Sequence, residues 1–122
     1  MAVYRVTGPL TLQLSTPAQN DIIQILAWTQ VAFGNVGHTR YENLITTALI
    51  NLRNDPDRAG VRQRDNIGAD IRTYQLASSR KRVTTARQVA KQRHFVLFRV
   101  SRDVVEVARL LHDAMDFSGN SH

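Results

Sequence analysis

The chain has 122 residues, 43% of them hydrophobic, which suits one domain with a core of its own. It has no cysteine, which excludes a disulfide framework and a cysteine-based zinc site, and no apolar run near the roughly 20 residues that span a bilayer. The net charge of +6 and sequence pI of 10.8 favour an acidic or nucleic-acid-associated partner, and the lack of cysteine fits a cytoplasmic location.

Residues 1–8 have no charged stretch followed by an apolar one, so they read as a flexible leader rather than a signal peptide. Leu10, Leu12 and Leu14 alternate with Thr11 and Gln13, the pattern of a strand with one buried face. A helix start follows, with Thr16 as cap, Pro17 in the first turn and Gln19 placed to close a capping box. Ala18, Ile22, Ile25, Leu26, Thr29, Ala32 and Phe33 fall on one stripe, with Ile23 and Trp28 off it, and Gly34 is expected to end the helix. Thr39 and Glu42 suggest a second capping box, and Tyr41, Leu44, Ile45, Ala48, Leu49 and Leu52 form a second stripe, stopped at Pro56. Two helices with so short a link predict an antiparallel hairpin.

Residues 57–70 read as a loop with room for a short edge strand, and 71–77 as a strand with Tyr74 and Leu76 on one face. The stretch 78–92 reads either as an extended basic loop or as a short helix. From Ile71 to Arg102 there are nine Lys or Arg and no Asp or Glu, so Arg80, Lys81, Arg82, Arg87, Lys91 and Arg93 are candidates for target or partner contact. Phe95–Val100 and Val104–Leu111 then form two strands around the polar break Ser101-Arg102-Asp103. Phe95 and Leu97 share one face and Val96, Phe98 and Val100 the other, which predicts a mid-sheet strand covered on both sides. Residues 117–122 read as a flexible tail. The whole is one domain over 1–122, of α+β class: an N-terminal strand, a helix pair, then a three-stranded antiparallel meander, in one mainly antiparallel sheet with the helices on one face.

The chain resembles the ParE branch of the RelE/ParE superfamily of type II toxin–antitoxin toxins over about Leu12 to Asp116. The residues that carry the resemblance are Leu14-Ser15, Pro17-Ala18, Asp21-Ile22, Phe33-Gly34, Tyr41, Leu44, Leu52 and Pro56. The most specific run is Arg93-His94-Phe95-Val96-Leu97-Phe98-Arg99-Val100, then Val105 to His112, then Met115-Asp116. The resemblance implies a cytoplasmic toxin neutralised by a ParD-like antitoxin in a hetero-oligomer. Operator DNA would be met only through the antitoxin. Many ParE toxins poison DNA gyrase, whereas the RelE branch cleaves ribosome-bound mRNA.

Ribosome-dependent cleavage needs a cation cluster for the phosphate transition state and commonly a late aromatic residue or general base. The cations are present, but the tyrosines are Tyr4, Tyr41 and Tyr74, and none follows the last strand. His94 and His112 are read as fixing strand ends by hydrogen bonds, so no catalytic site and no cofactor is expected. His112 and Asp116 stand four apart with no third ligand, so no metal is expected either. By strict alternation Arg109 shares a face with Val105, Val107 and Leu111. It either snorkels or pairs with Asp113, Asp116 or an antitoxin carboxylate. The second sheet face needs cover, and an antitoxin segment docking in a groove or adding a strand would supply part of it. Ile23, Trp28, Arg99 and Arg109 are the candidate antitoxin contacts.

Overall fold

The computed structural model describes residues 10–79 and 94–112. Five strands, β1 (Thr11–Leu14), β2 (Arg62–Gln63), β3 (Arg72–Gln75), β4 (His94–Ser101) and β5 (Val104–His112), form one sheet in the order β1-β5-β4-β3-β2. β1 runs parallel to β5, and every other pair is antiparallel. The sheet is therefore mixed, with the expected three-stranded meander at its centre and the short β2 added at the far edge.

β4 is the middle strand, which explains its two apolar faces. Val96 and Phe98 are fully buried in the main core, while Phe95 on the opposite face is buried against its register partner Leu111. Fully burying side chains of this size stabilises by about 1.5–3 kcal/mol each, so β4 holds much of the sheet's cohesion. Ser101 pairs with Val104, so the turn to β5 is only Arg102 and Asp103, one residue shorter than the sequence suggests. Arg102 adopts a left-handed φ of 58° to make it.

One helix, α1 (Thr16–Asn54), spans 39 residues. The expected pair of helices with a separate polar link does not form. Residues 35–39 are helical, and the break is confined to Gly34, whose φ of 74° and ψ of −169° lie outside helical space. A straight helix of that length would run about 58 Å. Yet Ser15 caps its start, the Leu10 amide donates to Arg53 O near its end, and only the four-residue β1, about 13 Å long, separates the two. The kink therefore brings both ends of α1 to β1. Ala18 and Ile25 from the first arm and Tyr41, Leu44, Ile45, Ala48, Leu49 and Leu52 from the second share one core with the inner sheet face.

Two local expectations shift for identifiable reasons. The helix cap is Ser15, not Thr16, because Ser15 Oγ accepts from the Ala18 amide at 3.0 Å while Gln19 Nε2 reaches Leu14 O. The strand read over 71–77 ends at Gln75, where Leu76–Ser79 tighten into a 3₁₀ turn and Asn51 Nδ2 donates to Ser79 Oγ. Among the described residues no helix is long and apolar enough to cross a membrane.

Gly34 has open space around its missing Cβ, so replacing it costs backbone strain alone. Gly34→Ala is expected to lower unfolding free energy by about 1–3 kcal/mol in a urea titration. An unchanged midpoint would mean that the kink relocates at no cost.

Candidate functional site

Two clusters at one end of the sheet hold the chemistry. The first begins where β1 stops. Leu14 pairs with Val107, and among the described residues no strand pairs with β5 beyond it on that side. Ser15 takes over, its amide donating to Val107 O at 3.0 Å and its Oγ to Ala108 O at 2.7 Å. Asp21, one turn into α1, then accepts from the Leu110 amide at 2.9 Å and forms a bidentate pair with Arg109, Nε to Oδ2 at 2.7 Å and Nη2 to Oδ1 at 2.9 Å. Burial pulls the Asp21 carboxyl upward, but the bonds from Arg109 and Leu110 outweigh it and hold it below its ordinary value. The same bond raises the Arg109 guanidinium.

A β-bulge makes this possible. Leu97 pairs with Arg109 but Phe98 with Val107, so Ala108 is an extra residue in β5. It shifts the alternation: Leu110, not Arg109, joins Val105 and Val107 in the core. The expected face for Arg109 is thus corrected, and its partner among the described residues is Asp21, whereas Asp113 and Asp116 lie outside them. From sequence Asp21 was named only among the residues that carry the resemblance, not as a partner of Arg109, although a signal exists. It is the only Asp, Glu, Lys or Arg between Thr16 and Thr39.

The second cluster lies at the same end. His94 opens β4, His112 closes β5, and the two are register partners. Their rings stand 5.0 Å apart, edge to face. Tyr41 Oη meets His94 Nδ1 at 2.6 Å, and both residues are buried. Gln24, Ile25 and Trp28 from the first arm of α1 complete a cavity of about 290 Å³ with the two histidines. Burial, then the neighbouring His112, pushes His94 down to about 4, against a smaller upward pull from Asp21. His94 is therefore neutral at physiological pH.

Of the other candidates, Ile23 is 65% and Trp28 48% exposed, and Val31 and Val36, which the sequence reading passed over, are more than half exposed. Ile23, Ala27 and Val31 recur at helical spacing, so the outer face of the first arm is an apolar strip beside Trp28. Arg99 is exposed opposite Glu106 on the other sheet face, away from the cavity. Arg80, Lys81, Arg82, Arg87, Lys91, Arg93, Met115 and Asp116 lie outside the described residues. Among the described residues no group of three or more His, Asp or Glu is placed to hold a metal ion.

The fold is similar to that of a solved chain described as "Chromosomal ParDE TA system from P. aeruginosa". The two share 14% identity over 84% of this chain and 95% of that one, with a TM-score of 0.60, a likeness of fold. No curated protein matches the chain. The sequence profile of the family described as "ParE toxin of type II toxin-antitoxin system, parDE" matches residues 12–117, and the chain belongs to that family.

The lowered pKa of His94 sets a pH dependence. The unfolded chain protonates its histidine near pH 6.5, before the folded chain does, so stability present above 6.5 is lost as pH falls toward 4. With allowance for screening the loss is on the order of 2 kcal/mol, and below it the Asp21 pair begins to titrate. Urea unfolding across pH 4–7 is expected to show this slope, and His94→Gln to flatten it. Stability that rises on acidification over that range would contradict the assignment.

Proposed function

We propose that this ParE-family toxin acts by binding rather than by catalysis, that its target is DNA gyrase, and that a cognate ParD-like antitoxin neutralises it. The observation that carries the first part is the lining of the His94–His112 cavity. A ribonuclease must stabilise the extra negative charge of a phosphoryl transition state and move protons at neutral pH. Among the described residues the lining contains no Lys or Arg, and His94 is neutral and bonded to Tyr41 through Nδ1. Arg109, three residues before His112, is held in its bidentate pair with Asp21. Such a cavity is ill suited to a scissile phosphate.

The antitoxin reading draws on the family and on the outer face of the first arm. Ile23, Trp28 and Val31 are large, exposed and close in sequence on an uncharged stretch of helix. An aromatic residue on such a strip is the usual anchor of a protein interface. An amphipathic antitoxin segment laid along it would bury all three. Gyrase is favoured as target because the late strands and the Leu111-His112 ending resemble ParE rather than RelE, and because no tyrosine follows β5. The exposed Arg99 and the basic run 80–93 are the contacts proposed for gyrase or for acidic antitoxin residues, and the proposed place of action is the cytoplasm.

Purified toxin added to a gyrase supercoiling reaction and to a cell-free translation reaction separates the two modes. Supercoiling is expected to fail as toxin approaches gyrase in amount, to recover on adding the antitoxin, and translation to continue. Intact supercoiling with cleaved mRNA and halted translation would replace this reading with a ribosome-dependent endoribonuclease.

A further inference from the structure

We propose that His94 and His112 form a two-imidazole site for a borderline divalent cation, Zn²⁺, Ni²⁺ or Cu²⁺, in the cavity beneath Trp28. The argument starts from register. The two histidines are direct partners across an antiparallel pair, and their ring centres are 5.0 Å apart. A cation bonded to each ring nitrogen at about 2.0–2.1 Å, with a tetrahedral angle between the bonds, places two ring centres ~5 Å apart. The backbone thus presents the pair at the separation that shared coordination needs.

The surroundings agree. Imidazole ligands have their second nitrogen fixed by an oxygen, which sets ring orientation and tautomer. Tyr41 Oη meets His94 Nδ1 at 2.6 Å, and in the tautomer that carries its proton on Nδ1 this nitrogen donates to Tyr41 while Nε2 holds the lone pair for the cation. Gln24 lines the cavity from the facing helix. The cavity volume of about 290 Å³ leaves room for metal-bound water, at roughly 30 Å³ per molecule. Neutral imidazole nitrogens suit zinc, nickel and copper and do not suit magnesium or calcium. Two protein ligands set a modest affinity. Bound metal would tie the end of β5 to the start of β4 directly below Trp28, on the face proposed above for the antitoxin.

Trp28 is the only tryptophan in the chain and lines this cavity, so it reports occupancy directly. The full-length chain, free of any histidine tag, is titrated with CuCl₂ and with NiCl₂ at neutral pH while Trp28 fluorescence is followed. The expected result is saturable 1:1 quenching with Kd below about 100 μM. Electron paramagnetic resonance of the copper form should show two nitrogen donors. His112→Gln, in a half-buried residue outside the Tyr41 contact, should weaken binding at least tenfold while the urea midpoint shows that the fold survives. His38→Gln and His122→Gln should leave it unchanged. Quenching that does not saturate, a single nitrogen donor, or equal affinity in His112→Gln would overturn the proposal. None of these outcomes depends on whether gyrase is the target.

Discussion

The edge of β5 beyond Val107 would be left open by so short a first strand, and the Asp21 carboxylate closes it. One side chain accepts the Leu110 amide and both arms of the Arg109 guanidinium. A buried backbone donor without a partner costs about 1–3 kcal/mol, more where a charge is stranded with it. This contact also fixes the angle at which α1 leaves the sheet, because Ser15 caps the helix and binds the Ala108 carbonyl with the same hydroxyl. Strand end, helix start and bulge are thus one hydrogen-bonded unit.

The bulge at Ala108 has a second consequence. Without the extra residue the β4–β5 register would set His94 against Leu111 and turn His112 to the opposite face. With it, the two imidazoles meet on the helix side, under Tyr41 from one arm of α1 and beside Trp28 from the other. Both arms reach that spot because Gly34 lets the helix reverse within a single residue. The apolar strip, the cavity and the ion pair therefore all depend on two backbone irregularities, one in the sheet and one in the helix.

Those irregularities are where sequence reading and structure part. The middle strand was legible because apolar residues on both faces of Phe95–Val100 admit few other places. The core stripes of both arms were legible from helical spacing, and Tyr41 and Tyr74 from theirs. The bulge was not, since Val-Ala-Arg-Leu-Leu alternates as well with an extra residue as without one. Arg109 was placed on the wrong face for that reason, and the pairing of His94 with His112 was hidden by the same shift. Asn35, Gly37 and His38 are poor helix formers, so 35–39 read as a link, but packing of the second arm carries the helix through them. The family assignment, by contrast, rested on residue identities along the chain and needed no register.

The account's central claim is that Asp21, not a strand, protects the far edge of β5. Native-state hydrogen exchange at the Leu110 amide measures this directly. Exchange as slow as for the interior amides of β4 is expected, with a large acceleration confined to Leu110 and its neighbours in Asp21→Asn. Rapid exchange at Leu110 in the unaltered chain would contradict it.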